Sequence, residues 1–272
     1  MSRGLSSVLF AAYIPAKRIG DSLMMTDPRS VIRISGADAR SFLQGLITND
    51  IEKADSGLVY AALLTPQGKY LADFFVVADG DGYLLDVSKD LAASLVQRLS
   101  MYKLRADISI DATPLIVSRG LDEPVKDAYR DPRHPALGWR AIGATESGDE
   151  DAIDWTGLRV ANGIPQSLIE LVPNECYPLE MGFEALNGLD FRKGCYVGQE
   201  VTARMKHKTE LRKGLAQVDI DGSAPVGSDI TAAGKPVGTL YSQSDGRALA
   251  YLRFDRAKGE MSAGSATVRL KS

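Results

Sequence analysis

Residues 58–87 read LVYAALLTPQGKYLADFFVVADGDGYLLDV. Two apolar runs, 58–64 and 70–78, flank Thr65-Pro-Gln-Gly-Lys69, and Asp79-Gly-Asp-Gly82 leads into a third run at 83–87. Pro and Gly clusters of this kind cut apolar segments into strands joined by tight turns. The Asp/Gly cluster lacks the later acidic ligands of a calcium loop and reads as a hairpin turn. Upstream, residues 31–34 (VIRI) form a strand, and Ser35-Gly-Ala-Asp38 supplies a hydroxyl cap with an acid three residues on. The helix it opens buries Phe42, Leu43 and Leu46. Downstream, Ser88-Lys-Asp90 caps a helix whose Leu91, Leu95, Leu99 and Tyr102 form one stripe at i, i+4, i+8 and i+11. Strands joined by turns and interrupted by single helices favour an α+β layer over a doubly wound parallel sheet.

Further strands fall at 108–110 and 115–117, and the acidic stretch 144–154 reads as a loop. From about Leu211 the texture changes. Short β-like runs at 214–220, 229–232, 236–242, 248–254 and 266–270 are separated by Gly, Pro and Asp, the pattern of a small barrel or sandwich. A boundary near Lys208 divides residues 1–208, read as two interleaved subdomains, from residues 209–272.

The chain has 272 residues, 32 Lys+Arg against 35 Asp+Glu and a net charge of −3. That length calls for two or three packed domains. The acidic balance argues against a general nucleic-acid or anionic-membrane binder. No run approaches the roughly 20 apolar residues that span a bilayer. Residues 8–14 (VLFAAYI) read as a strand entering the Pro15 turn rather than a signal peptide, so a cytoplasmic protein with reduced thiols is expected. Two Cys and two His exclude a disulfide scaffold and any self-sufficient four-cysteine or multi-histidine metal site. No nucleotide-binding glycine motif occurs.

The segment 190–208, DFRKGCYVGQEVTARMKHK, concentrates the chemistry. Cys195 follows Arg192, Lys193 and Gly194 and precedes a helix expected from 197–199. Cationic neighbours and a helix N-terminus both favour thiolate, so Cys195 is expected to titrate below the ordinary value of about 8.5, with Lys193 and Arg192 tuning it. Gln199 and Glu200 offer hydrogen bonds from the first turn, and Arg204, Lys206 and Lys208 form a basic run beyond. A buried structural cysteine in a turn is the bland alternative.

The octapeptide KGCYVGQE (193–200) resembles the signature of the YgfZ-type folate-binding family, which includes a mitochondrial iron–sulfur assembly factor. FLQGLITNDI (42–51), LLTPQGKYLADFF (63–75), MYKLR (101–105), Gly163-Ile-Pro165 and Val172-Pro-Asn-Glu175 agree. The resemblance extends over nearly the whole chain and reaches the glycine-cleavage T-protein, an aminomethyltransferase. It implies interleaved ferredoxin-like α+β domains around a central tetrahydrofolate pocket, with a C-terminal β-barrel. It implies Asn49 and Asp73 for that pocket, Tyr102 and Arg105 as further candidates, and Gln199, Glu200 and Arg204 to orient the ligand or loop. Compared with the T-protein, only the second of two paired acids is present (Ala72-Asp73), and Ala161 stands where a pterin-binding glutamate is typical. Losing that carboxylate leaves pterin donors unpaired. The resemblance therefore favours an accessory protein of iron–sulfur cluster assembly or repair acting through Cys195, with scaffold or client proteins as partners. The alternative is a tetrahydrofolate-dependent aminomethyl or one-carbon transferase, and a third reading is a folate-responsive module without turnover.

Overall fold

The computed structural model describes residues 16–19, 22–25, 27–148, 152–207 and 210–271. The strand expected at 8–14 and the boundary residue Lys208 lie outside them. A short hairpin, β1 (Ala16–Ile19) and β2 (Ser22–Met25), precedes the first sheet. That sheet is built from β3 (Arg29–Ser35), β4 (Val59–Leu64), β5 (Tyr70–Asp79), β6 (Gly82–Ser88) and β7 (Ser109–Ala112), in the spatial order β4-β5-β6-β3-β7. All of its pairings are antiparallel. Every residue of β4 and β6 is buried, which accounts for runs such as VYAALL with no polar face.

Helix α1 (Ala39–Gln44) is shorter than its apolar spacing predicts, and Leu46 is buried just past its end. Its cap also differs. Asp38, not Ser35, occupies the N-cap, and its carboxylate accepts from the Asp107 N–H at 2.8 Å, tying the helix start to the approach to β7. Helix α2 (Lys89–Lys103) buries Leu91, Leu95 and Leu99, with Tyr102 packed partly against the core.

A second sheet has the order β8-β10-β9, from β8 (Ile116–Gly120), β9 (Tyr129–Arg130) and β10 (Trp139–Gly143). A buried ionic network joins it to the first sheet. Asp86 on β6 takes Arg29 Nε at 2.6 Å and Arg140 Nη1 at 2.6 Å, while Asp131 takes Arg140 Nε at 3.0 Å and Arg133 Nη2 at 2.8 Å. The guanidinium groups of Arg140, Arg133 and Arg29 lie 3.9, 4.8 and 5.8 Å from the centre of the Phe75 ring. Such buried charges persist because each has a partner of opposite sign.

After α3 (Trp155–Asn162) comes a long irregular stretch, 163–198, ending at α4 (Gln199–His207). The remaining strands close a six-stranded barrel in the order β11-β14-β13-β12-β15-β16. They are β11 (Lys213–Asp221), β12 (Asp229–Ala232), β13 (Lys235–Ser244), β14 (Arg247–Arg253), β15 (Glu260–Ala263) and β16 (Ala266–Leu270). The sequence pattern misses β15, whose four residues point only Met261 and Ala263 inward. The barrel has its own core around Val218, Ile230, Val237, Leu240 and Val268. Polar bonds seat it on the body: Leu215 N donates to Glu180 O at 2.7 Å, and Tyr251 OH to the Glu180 carboxylate at 2.6 Å. The architecture is mixed α+β with a closed C-terminal barrel.

Candidate functional site

The Cys195 loop is assembled on the turn that follows α1. Asp190 opens it, donating its N–H to Thr48 O at 3.0 Å. Its Oδ1 accepts from Arg192 N at 2.7 Å and Lys193 N at 3.3 Å, and its Oδ2 pairs with Lys53 Nζ at 2.7 Å. Burial raises the Asp190 carboxyl pKa, but the Lys53 ammonium and these N–H donors outweigh it and hold the group below its ordinary value.

Lys193 then turns inward. Its Nζ donates to the carbonyls of Gln44 at 2.8 Å, Ile47 at 2.6 Å and Asn49 at 2.8 Å, and lies 5.1 Å from the Tyr196 ring centre. An ammonium has three protons, and all three are committed. Gln44 ends α1, where a carbonyl has no partner within the helix, and Ile47 and Asn49 lie in the turn beyond it. Burial draws the Lys193 ammonium down to about 8, with Asp50 and Asp190 opposing the shift. Tyr196 is buried beside it, and Val197 N donates to Gly45 O at 3.2 Å.

Gly198 completes the seat at φ +85°. A Cβ there would lie 2.6 Å from Thr65 O and 3.0 Å from Leu64 Cβ, so the loop rests directly on the β4–β5 turn. Gly198→Ala is expected to cost about 2–4 kcal/mol, from a strained φ together with a backbone clash. Gly194, whose added Cβ would meet nothing within 4 Å, should tolerate Ala within about 0.5 kcal/mol. Urea unfolding of the two variants checks the contrast.

On this base Cys195 is a free, exposed thiol, flanked by exposed Arg192 and Gly194. Cys176 is its opposite: buried, with Sγ 3.5 Å from Val172 O and its thiol pushed up to about 12 by burial. Among the described residues no group of three or more His, Cys, Asp and Glu has the arrangement to hold a metal.

Several expected roles change. Lys193 directs its ammonium inward to the carbonyls of Gln44, Ile47 and Asn49, a loop-anchoring role not expected from the sequence. Asn49 is a structural amide: Nδ2 donates to Tyr60 O at 2.9 Å and Asn187 O at 2.6 Å, while Oδ1 accepts from Asp50 N and Lys53 Nζ, both at 2.9 Å. Asp73 is buried on β5, with Oδ1 accepting from Tyr70 OH at 2.6 Å and Ser167 Oγ at 2.6 Å, and Oδ2 from Tyr60 OH at 3.0 Å. Burial and the adjacent carboxylate push both tyrosine hydroxyls well above their ordinary pKa, so they remain donors. Tyr102 and Arg105 sit in and just past the last turn of α2, half-buried and exposed respectively. Gln199 is half-buried at the start of α4, and Glu200 and Arg204 are exposed along it. Cys195, Gln199, Glu200 and Arg204 thus share one loop–helix unit, whereas Asn49 and Asp73 belong to the interior.

Residues supporting the interior were not singled out by sequence reasoning. Tyr60, Tyr70 and Ser167 hold Asp73, and Arg29, Asp86, Asp131 and Arg140 form the ionic network. The signal that could have found them is an isolated acid inside an otherwise apolar strand, Asp73 in YLADFFVVAD and Asp86 in GYLLDVS. Such an acid needs a buried partner.

Known proteins share both the sequence and the fold. Residues 212–272 match the family described as the CAF17 C-terminal beta-barrel domain. The chain is 33% identical over 233 residues to the Mycosarcoma maydis protein named iron-sulfur cluster assembly factor IBA57 homolog, mitochondrial. That match covers 74% of this chain and 58% of the fungal protein, so the chain spans less than two thirds of that relative's length. It is 28% identical to mouse IBA57, covering 91% of this chain and 82% of that protein. Human IBA57 is 29% identical, with coverage of 86% and 78%. All three names say mitochondrial, which overturns the expectation of a cytoplasmic protein. The solved aminomethyltransferase T of the Bartonella henselae glycine cleavage system superposes with a TM-score of 0.70 at 14% identity, covering 90% of this chain and 83% of that one. The chain is therefore IBA57-like in sequence over most of its length, ends in a CAF17-type barrel, and has the fold of a glycine-cleavage T-protein.

Proposed function

We propose that this chain is an accessory factor of iron–sulfur cluster assembly that contributes one thiolate, Cys195, to a cluster in transit. The observation that carries the reading is an exposed free thiol on a loop clamped by Lys193, Asp190 and Gly198. Clusters are held by several thiolates, so a single one calls for a partner scaffold or client to supply the other ligands. Similarity to proteins named as iron–sulfur cluster assembly factors supports the same reading, within the YgfZ-type resemblance of KGCYVGQE.

Two of the residues expected to hold tetrahydrofolate, Asn49 and Asp73, already have partners within the chain. Asn49 spends its amide on its own chain, and Asp73 receives three internal hydroxyl donors. Aminomethyl transfer needs an acid free to hold the substrate amine, and Asp73 is committed to Tyr60, Tyr70 and Ser167 instead.

Complementation tests the proposal. In a cell lacking its own family member, Cys195→Ala is expected to leave iron–sulfur enzyme activities at the level of the empty vector while folding like wild type. Cys176→Ala should restore them. Full restoration by Cys195→Ala would remove the proposal. With the purified protein, iodoacetamide should label Cys195 well before the buried Cys176.

A further inference from the structure

Two large apolar side chains face solvent at the C-terminal end of α2. Met101 is 62% exposed and Leu104 is 88% exposed, the most of any large apolar residue among those described. Leu104 caps the helix at φ +44° and ψ −103°, outside the basins that non-glycine residues ordinarily occupy. Strain of this kind persists only where the surrounding structure imposes it, and it clusters at binding and switch sites.

Cations predominate along the helix beside the pair, with exposed Asp107 following three residues past Leu104. Residues 91–106 contain Arg98, Lys103 and Arg105 and no acid, in a chain whose net charge is −3. None of these three cations forms an ion pair among the described residues.

We propose that this end of α2 is a docking knob for a protein partner offering an apolar socket rimmed by carboxylates. Met101 and Leu104 would fill the socket, and Arg98, Lys103 and Arg105 would meet its acidic rim. A small apolar centre inside a charged rim is the usual anatomy of such contacts, and the rim sets orientation and partner choice. A lipid surface fits less well: residues 97–106 hold no Trp or Phe, and Tyr102 is half-buried against the core. The proposal is independent of the role of Cys195.

The test places photoreactive benzoylphenylalanine at Met101 of the full chain in living cells, with the same probe at exposed Val226 on the barrel as control. Expected is one protein adduct at position 101 and none at 226, the adducted peptide of the partner being rich in Asp and Glu. Combining Arg98→Glu with Arg105→Glu should cut that adduct by about tenfold, because like charges then face each other across the contact. Leu104→Gly should cut it similarly while raising the thermal midpoint by relieving strain, which separates docking from folding. An adduct to lipid or to a second copy of the chain overturns the proposal. So does labelling insensitive to both variants, equal labelling at Val226, or no adduct at all.

Discussion

Lys193→Met is expected to lower stability by roughly 2–4 kcal/mol and to free the Cys195 loop. Two opposing effects set the size of that loss. Burying the ammonium is costly, and burial draws its pKa down to about 8. Against that, hydrogen bonds from a charged donor contribute about 1.5–3 kcal/mol each, and Lys193 makes three. Met keeps the apolar stem but leaves the Gln44, Ile47 and Asn49 carbonyls without these donors, so the bonds outweigh the desolvation. Local consequences exceed global ones, because the 191–198 loop has little regular structure of its own. Limited proteolysis should nick the variant first between residues 191 and 198, and iron–sulfur enzyme activity in complemented cells should fall. Wild-type resistance to nicking in Lys193→Met would mean that Asp190 and Gly198 hold the loop without the lysine.

Much of this fold is legible in the sequence because burial and turns write directly into residue pattern. The Pro66–Gly68 and Gly80–Gly82 turns punctuate the meander, and Leu91, Leu95 and Leu99 mark the buried stripe of α2. Five of the six barrel strands announce themselves as short β-like runs between Gly, Pro and Asp, whereas β15, Glu-Met-Ser-Ala, offers only two inward apolar residues and no β-branched or aromatic one. Cys195 is legible through its octapeptide. Its surroundings are not, because Lys193 finds its acceptors about 145 residues upstream, and no local pattern encodes a contact between a loop and a distant helix end. Local reading therefore assigns the lysine to its neighbour in sequence, the thiol. Asp73 is ambiguous for a related reason: an acid in an apolar strand signals a buried partner, but three hydroxyls and a ligand amine are equally good partners on paper.

Asp73 separates those two partners experimentally. Asp73→Ala is expected to cost about 3–5 kcal/mol, since it leaves Tyr60, Tyr70 and Ser167 hydroxyls buried without their acceptor and opens a cavity. Asp73→Asn should cost only about 1–3 kcal/mol. Its carbonyl oxygen can still accept from Tyr70 and Ser167, and the Tyr60 hydroxyl can rotate to accept from the new amide. The lost negative charge also removes a favourable interaction with Arg29 and Arg133, so Asn does not restore full stability. A structural acid predicts that function follows stability. Asp73→Asn should then support iron–sulfur enzyme activity near wild type, while Asp73→Ala fails at high temperature and recovers when cells grow cold. An acid that touches a substrate amine or a folate predicts instead that both variants fail, Asp73→Asn even where it folds well, since an amide cannot hold a cation. Asp73→Asn with a wild-type urea midpoint and no activity would return the residue to chemistry. The hydroxyls already seated on both of its oxygens argue that activity will track the midpoint instead.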